Sequence, residues 1–362
     1  MAYRMEKMGA NVCKEITLKD VAKAAGVSMA TVSRSLNDSS LIPEKTRKRI
    51  REIADQLGFD FNTHARSLIT RRVGTIGIIL PPDYDQLGVN LYHGTLHSSM
   101  RSVLECNDID LLVSFLSNHF TGGNNVRKLV ARKKVDGLII VQPVFERELI
   151  EYLHVKQMPF VFSHYPPADP CPPDVDIIYP DNEYGGYIAG TYLGSTGARR
   201  VLCVTTAGEK PTEREFVLRL AGARRGLSES GITLGPQDLL VGNQTMESGF
   251  EAVMAAAGRL KDYDAIFALN DLMAIGALLA VGRLGMKVPE DIALMGYDDT
   301  DLAACIRPSM TTIHQPREEL SLVTCERLLE LIRTRREGGE KRDARRTLLT
   351  PKLVVRETTG AA

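Results

Sequence analysis

The sequence predicts an α/β protein with a small all-α head of helix-turn-helix type, followed by a two-lobed core built on parallel sheets. Three observations support this fold class: the length of 362 residues, three short helical patterns before residue 61, and alternating apolar runs and helical patterns from residue 73 onward. A chain of this length is too long for one ordinary core, so two or three domains are expected.

The net charge of zero divides into two opposite parts. Residues 1–72 hold 14 Lys and Arg against 8 Asp and Glu, whereas the remainder holds 31 against 37. A basic head on an acidic body favours binding of a polyanion by the head. Chance clustering of surface charge is the alternative, and charge alone does not decide between the two.

Composition excludes several classes of protein. No run of eighteen apolar residues exists, so no membrane-spanning segment and no membrane partner are expected. The first twenty residues contain no apolar segment of the kind found in secretory signals, which predicts a cytoplasmic protein. The six cysteines are widely scattered and form no CxxC pair, as expected for reduced thiols.

The head begins with two helices joined by a tight turn. Thr17 is a plausible N-cap for a helix from Leu18 to Ala25, and Gly26 ends that helix. Ser28 caps a second helix, on which Val32 and Leu36, four residues apart, face inward.

A third helix follows, with Pro43 in its first turn and Gly58 just after its end. Its predicted core stripe is apolar and recurs at helical spacing: Ile50, Ile53, Ala54 and Leu57.

The outward arc of the second helix consists of Met29, Ala30, Ser33, Arg34 and Asn37. These residues are small, polar or cationic, and none is acidic. A plain three-helix bundle would share the inward pattern but would not explain an outward arc without bulk and without acid. Such an arc is suited to enter the major groove of DNA, as the second helix of a helix-turn-helix does.

The string ITLKDVAKAAGVSMATVSRSLN, followed by TRKRIREIADQLGF and NTHARSL, resembles the DNA-binding head of the LacI/GalR family of transcription regulators. The resemblance implies roles by position. The residues implied to hold phosphates are Thr17, Ser28, Thr31, Ser33 and Asn37. The residues implied to read base edges are Met29, Ala30 and Arg34. Met29 and Ala30 cannot hydrogen-bond a base, so we expect Arg34 to supply hydrogen-bonded specificity, with apolar contacts to thymine methyl groups beside it.

The same resemblance divides the chain into a DNA-binding domain at 15–61, a hinge helix or linker at 62–72, and an effector-binding core at 73–358. The hinge segment NTHARSLIT is too short to be a stable helix alone. In the family it forms a helix at the operator centre, where a leucine at the position of Leu68 wedges into the minor groove. Without the resemblance, a flexible linker would be the favoured interpretation.

The core repeats short apolar runs, among them VGTIGIILP, IDLLVSFL, VDGLIIV, PFVFSH, RRVLCVTT, DAIFALN and IALMGYD. Continuous apolar strands between helices predict parallel sheets covered on both faces. The resemblance implies the architecture of periplasmic sugar-binding proteins. Lobe one is then expected at about 73–178 and 315–350, and lobe two at about 179–313 and 351–358.

Ligands of open parallel sheets bind beyond the carboxyl ends of the strands. Polar residues at these ends, and positions that match family effector contacts, give the predicted effector site: His164, Tyr179, Arg219, Asn270, Asp298 and Gln315. His164 stands where many members have a carboxylate, and Gln244 stands near where an aromatic often stacks on a sugar. A hydroxyl-rich small molecule, most simply a sugar, remains the expected effector.

Nothing in the sequence indicates enzymatic chemistry, a cofactor or a metal. No Walker A, HExxH or GxSxG string is present, which leaves no catalytic residue to name. His93 and His97 are four apart on a predicted helix, but a structural or surface role is favoured over metal binding. The basic segment from Arg333 to Arg346 is interpreted as a solvated loop rather than as a second nucleic-acid patch.

The predicted function is a dimeric regulator, most simply a repressor, whose two heads bind a near-palindromic operator in double-stranded DNA. The final strand is followed by only three residues, which favours a dimer without a tetramerisation tail. Effector binding is expected to move the hinges and change operator affinity, with its sign left open. A sugar-transport component and a small-substrate enzyme are the disfavoured alternatives, since neither explains the head.

Overall fold

The computed structural model describes residues 16–36, 39, 41–59, 73–80, 87–167, 172–210, 213–338 and 343–360. The chain divides into two compact units, Met1–Gly74 and Thr75–Ala362. The predictions made for Asn37 and for the hinge segment with Leu68 lie outside the described residues. No described helix is long and apolar enough to cross a membrane.

The first unit contains three helices: α1 Leu18–Ala25, α2 Met29–Leu36 and α3 Glu44–Leu57. Thr17 and Asp20 form a capping box at the start of α1, where the Thr17 amide donates to the Asp20 carboxylate at 2.9 Å. Gly26 and Gly58 end α1 and α3 with φ angles of 67° and 65°, values that a residue without Cβ adopts at little cost.

Two predictions for α3 were wrong in detail. Leu57 is 36% exposed rather than part of the core stripe. Pro43 precedes the helix instead of lying in its first turn, because the helix begins at Glu44. The core of this unit is formed by buried apolar side chains of all three helices: Val21, Ala22, Ala25, Val32, Ile50 and Ala54.

The second unit is built on two parallel sheets. The strands of the first sheet are β1 Thr75–Leu80, β2 Asp110–Phe115, β3 Gly137–Ile140, β4 Phe160–Ser163, β5 Ile177–Pro180 and β11 Arg346–Leu349. This sheet is six-stranded among the described residues, with strand order β11-β5-β4-β3-β1-β2. The helices associated with it are α4 Leu87–Glu105, α5 Asn125–Ala131, α6 Arg147–Val155 and α12 Arg317–Arg336. Separate buried clusters lie on its two faces.

The strands of the second sheet are β6 Val201–Thr205, β7 Leu239–Val241, β8 Ala265–Ala268 and β9 Ala293–Met295. Their order in the sheet is β7-β6-β8-β9. The helices associated with it are α7 Asn182–Ser195, α8 Arg214–Ser228, α9 Met246–Ala255, α10 Asp271–Arg283 and α11 Asp301–Cys305. The strands β10 Thr312–His314 and β12 Lys352–Val354 form an antiparallel pair. Along the chain, β10 comes just before α12 and β12 comes just after β11, the two elements that return to the first sheet.

Strand direction determines where polar side chains gather. Every pair within the two sheets is parallel, so the carboxyl ends of neighbouring strands meet at one edge. His164 directly follows β4, Asn270 follows β8 after one intervening residue, and Asp298 follows β9 after two.

Candidate functional site

The second helix of the head presents a slim face to solvent. Met29 is 52% exposed, and Ala30 and Arg34 are also exposed. Val32 and Ser35 are fully buried on the opposite side. This division agrees with the outward arc expected from helical spacing.

Side-chain caps shape the region in front of this face. The Ser28 hydroxyl accepts a hydrogen bond from the Thr31 amide at 3.1 Å, and the Thr17 hydroxyl donates to Asp20 at 2.6 Å. A groove of about 890 Å³ lies between α1 and the start of α2, lined by Thr17, Lys19, Asp20, Ala22, Lys23, Gly26, Val27, Ser28 and Met29. Backbone amides, small hydroxyls and the side chains of Lys19 and Lys23 can donate hydrogen bonds to phosphate oxygens.

Arg219 is the centre of a buried polar cluster in the second unit. The residue is 1% exposed, and its side chain makes directed contacts in three directions. Nε donates to the Asn182 side chain at 2.9 Å, Nη1 donates to the Leu269 carbonyl at 2.7 Å, and the same Nη1 lies 3.2 Å from Asp298 Oδ1. The guanidinium also stacks on the Tyr297 ring, 3.9 Å from its centroid. A surface ion pair is therefore excluded as the role of Arg219.

Close helix packing holds this arginine in place. A Cβ at Gly186 on α7 would overlap the carbonyl oxygen of Arg219 on α8, and a Cβ at Gly222 would overlap the carbonyl oxygen of Glu183. Only glycine lets the two backbones approach so closely. The short separation brings Asn182, at the start of α7, within hydrogen-bond reach of the guanidinium.

Asp298 and Gln315 extend the cluster towards the first sheet. The Gln315 amide donates to Asp298 Oδ1 at 2.6 Å, and its oxygen accepts from the Tyr92 hydroxyl at 3.1 Å. Tyr92 lies on α4, a helix that packs with the first sheet. The contacts from Tyr92 through Gln315 to Asp298 therefore join the two lobes. Asp298 has a φ of 120°, a strained backbone for a residue with a side chain. Strain of this kind concentrates at functional sites.

His164 meets the cluster from the first sheet through Glu215. Its Nε2 lies 3.4 Å from Glu215 Oε2, and Arg219 Nη2 lies 3.9 Å from Glu215 Oε1. The ring of His164 contacts Tyr92 and His93, with centroids 4.8 and 4.7 Å apart. Within the described structure, His164 Nδ1 is buried without a hydrogen-bond partner.

Two carboxyl groups in this cluster respond differently to burial. Burial raises the pKa of Asp298 to about 6, because it outweighs the opposing charge of Arg219 and the charge of Glu215 adds to it. Burial also raises the pKa of Glu215, but the hydrogen bond from His164 and the charge of Arg219 outweigh it and lower the net value. Burial lowers the pKa of Arg219, but the charges of Asp298 and Glu215 outweigh it and raise the net value. The arginine is therefore charged, and Glu215 stays ionised to a lower pH than Asp298 does.

The structure thus brings four of the six predicted effector residues together: His164, Arg219, Asp298 and Gln315. Asn270 follows the neighbouring strand but caps α10, accepting from the Met273 amide at 2.8 Å while it donates to the Gln244 carbonyl at 3.1 Å.

Tyr179, on β5, packs against the buried cluster on one face of the first sheet. Its effector contact, like that of Asn270, stays a prediction.

Sequence reasoning missed Glu215, Tyr92 and Asn182. Glu215 carries a signal that could have been used, since it lies four residues before Arg219 on the same helix face. Tyr92 and Asn182 carry none, because their partners are 223 and 37 residues away along the chain.

His93 and His97 are buried, not at the surface. Their rings stack at 5.9 Å. Burial and the neighbouring His164 lower the pKa of His93 well below its usual value, and lower that of His97 to about 4. Both are neutral structural side chains near pH 7. No group of three or more His, Cys, Asp or Glu among the described residues is arranged to hold a metal.

Comparison with known proteins matches both units. Residues 17–62 match the bacterial regulatory proteins of the lacI family, and residues 191–359 match the periplasmic binding protein-like domain. The HTH-type transcriptional repressor PurR of Photobacterium profundum is 31% identical over 352 residues, covering 94% of this chain and 98% of that protein. The chain belongs to the lacI family of bacterial regulatory proteins.

Solved structures of the lacI family agree with this assignment. The Lac repressor dimer bound to operator and the anti-inducer ONPF is 28% identical, with a TM-score of 0.77 over 96% of this chain and 100% of that one. A complex of the transcriptional regulator CelR with cellobiose is 27% identical, with a TM-score of 0.68 over 95% and 99%. The predicted fold class, a helix-turn-helix head with a periplasmic-binding-protein-like core, is confirmed.

Membership of the lacI family also fixes the general activity. The chain is a DNA-binding transcription regulator that responds to a small molecule, and it is not an enzyme. The predicted domain bounds and the roles of individual residues in DNA and effector binding stay predictions.

Proposed function

We propose that the chain is a homodimeric, cytoplasmic repressor whose operator affinity is controlled by a sugar or sugar derivative bound at the cluster of His164, Glu215, Arg219, Asp298 and Gln315. The observation that carries the proposal is the distribution of hydrogen-bonding groups in this cluster. Most of the guanidinium donors of Arg219 are already engaged by protein acceptors, while the carboxylates of Asp298 and Glu215 keep acceptor capacity.

A ligand that suits these carboxylates must supply hydrogen-bond donors. Vicinal hydroxyl groups do so, whereas a phosphate or carboxylate group would be repelled. Asp298 and Glu215 therefore favour a neutral, hydroxyl-rich molecule and disfavour a sugar phosphate at this position. The similarity to the CelR–cellobiose complex supports the same chemical class.

The cluster is also well placed for allosteric control. It joins residues of the first sheet, Tyr92 and His164, to residues of the second, Arg219 and Asp298. A ligand bound between them would stabilise one relative arrangement of the lobes, and it changes DNA affinity only by its preference for that arrangement. A near-complete switch requires a preference of about 10⁴, roughly 5.5 kcal/mol.

The dimer is proposed from the similarity to the Lac repressor dimer bound to operator. Two heads related by a two-fold axis would bind the half-sites of a near-palindromic operator in double-stranded DNA. On each head, the exposed Arg34 is proposed to contact guanine in the major groove, with Met29 and Ala30 beside it.

A thermal-shift screen over neutral sugars, sugar phosphates, nucleosides and free nucleobases tests the effector class. A ligand at 100 times its dissociation constant stabilises the folded protein by about 2.7 kcal/mol. We expect a neutral sugar to stabilise the wild type and Glu251→Gln, an exposed control, but not Asp298→Asn or Glu215→Gln. Stabilisation only by sugar phosphates would contradict the proposal.

A planar nitrogen heterocycle is the second candidate effector, because aromatic rings of Tyr92, His93, His164 and Tyr165 gather at the edge of the cluster. Flat rings stack on such side chains. Selective stabilisation by a nucleobase in the same screen would favour this candidate over a sugar.

Arg34→Ala tests the DNA-reading assignment. Removal of a bidentate contact should weaken operator binding by about 1–3 kcal/mol and relax discrimination at one base pair of each half-site. Selection of binding sites from genomic fragments, done in parallel for wild type and variant, measures both effects. An unchanged base preference in the variant would show that Arg34 does not read the operator.

A further inference from the structure

A basic surface lies at the edge of the first sheet where its strands begin. It is formed by the loop before β3, the last turn of α12 with the residues after it, and the start of β11. We define it as the amino-edge patch: residues 131–136, 333–338 and 343–346. The sequence alone favoured a solvated loop for the second and third of these segments, and gave no reason to join them to the first.

Specific contacts bring the segments together. The guanidinium of Arg336 pairs with Asp136 at 3.2 Å, and Gly137 packs against Ile332 one turn earlier on α12. On the other side of α12, Arg345 pairs with Glu330 at 3.2 Å. The last turns of this helix therefore lie between the loop before β3 and the segment that leads into β11.

The patch carries a large excess of positive charge. Its three segments hold eight Lys and Arg against three Asp and Glu, although the chain from residue 73 onward has more acidic than basic residues. Among the described residues, five of the eight cations are exposed and have side chains in no ion pair or hydrogen bond: Arg132, Lys133, Lys134, Arg335 and Arg346. An ordinary solvated surface interleaves its charges, so this excess favours an anionic partner.

The position of the patch in the chain indicates which anionic partner it binds. The chain enters the core at this same edge, because β1 begins at Thr75 and the Asp136 amide donates to the Thr75 carbonyl at 2.8 Å. The DNA-binding head precedes this point in the chain and is covalently joined to the core. A duplex that the head binds is therefore tethered to the core, and the linking segment sets its effective concentration at the patch.

We propose that the amino-edge patch binds backbone phosphates of the DNA that flanks the segment contacted by the heads. This interaction goes beyond the proposed function, because it adds a sequence-independent contact made by the core itself. Lys and Arg side chains that neutralise phosphates release condensed counterions, so each contact strengthens the salt dependence of binding. The patch would raise affinity for long DNA without changing which operator is chosen.

The test uses the full chain and two mixed-sequence duplexes, one of about 16 and one of about 48 base pairs. With half-sites spaced at 10–10.5 base pairs, roughly half of the longer duplex extends past the heads, whereas the shorter duplex does not. The patch variant combines Lys133→Gln, Lys134→Gln and Arg335→Gln. The control variant combines Arg224→Gln, Lys261→Gln and Lys287→Gln, three exposed cations of the second lobe without ion pairs among the described residues. Both variants have the same net charge, and matching melting temperatures establish that both are folded.

On the longer duplex, the slope of log Kobs against log salt concentration should be shallower in the patch variant by about 0.9 for each phosphate that is no longer neutralised, up to roughly 2.7. On the shorter duplex, which the heads occupy, wild type and patch variant should agree. The control variant should match the wild type on both. A slope equal to that of the control variant, or an equal decrease on both duplexes, would overturn the proposal.

Discussion

Replacement of Arg219 by methionine removes the cation around which the buried cluster is built. Methionine has a similar length and helix propensity, so α8 and the volume of the core are largely preserved. The side chains of Asn182 and Asp298 and the carbonyl of Leu269 each lose a donor at a distance between 2.7 and 3.2 Å.

The expected decrease in stability is large because the site is buried. Removing one partner of a buried ion pair leaves an uncompensated charge and costs about 3–5 kcal/mol. Protonation of Asp298 limits this cost at low pH, since its folded pKa of about 6 lies above the ordinary value of 3.8. The difference in unfolding free energy between wild type and Arg219→Met should therefore be larger at pH 8 than at pH 5.

Urea unfolding followed by circular dichroism measures the effect, because the chain contains no tryptophan for fluorescence. Arg225→Met is the matched control on the same helix, where an exposed pair with Glu183 predicts a decrease below about 1 kcal/mol. Equal decreases in Arg219→Met and Arg225→Met would refute the reasoning. A decrease in Arg219→Met that does not change between pH 5 and pH 8 would refute the part assigned to Asp298.

Three further perturbations follow from the described contacts. Gly186→Ala places a Cβ against a backbone carbonyl of α8 and should lower the free energy of unfolding by more than about 3 kcal/mol. Gly282→Ala, which has open space around the new Cβ, should raise it by about 0.5–1 kcal/mol. The melting temperatures of the two variants should therefore shift in opposite directions. Burial and the charge of Asp298 raise the pKa of Asp271 to about 7, above its unfolded value of 3.8, so its contribution to stability is lost as the pH rises from 4 to 7. Unfolding free energy measured over that range should fall less steeply in Asp271→Asn. Ser28→Ala removes the cap of α2 and should destabilise the head by about 1 kcal/mol, visible as faster amide hydrogen exchange in α2 but not in the core helices.

The head was largely predictable from sequence because its signals are local. Caps, glycine breaks and apolar spacing act within a few residues, and α1 begins at Leu18 and ends at Ala25 as predicted. Local signals were less reliable at the end of a helix. Leu57 fits the helical period but lies in the last turn of α3, where it stays partly exposed.

The strands, and the polar residues that follow them, could also be predicted from the sequence, since continuous apolar runs between helices predict parallel sheets. The rule that ligands bind at carboxyl ends then selected His164 and Asp298, and resemblance to a family selected Arg219 and Gln315. The burial of Arg219 could not be predicted from its local sequence, because two other arginines of the same helix, Arg224 and Arg225, are exposed.

By itself, the sequence determined the two kinds of unit, the class of fold and the exposed face of α2, because each depends on periodicity and on residues close along the chain. Only the tertiary structure decided that Glu215 joins His164 to Arg219, that Tyr92 contacts Gln315, and that the three basic segments of the amino-edge patch share one edge. Most of these contacts join residues from about 50 to more than 200 positions apart. Their formation depends on how sheets and helices pack, and no short-range pattern of residue types encodes that packing.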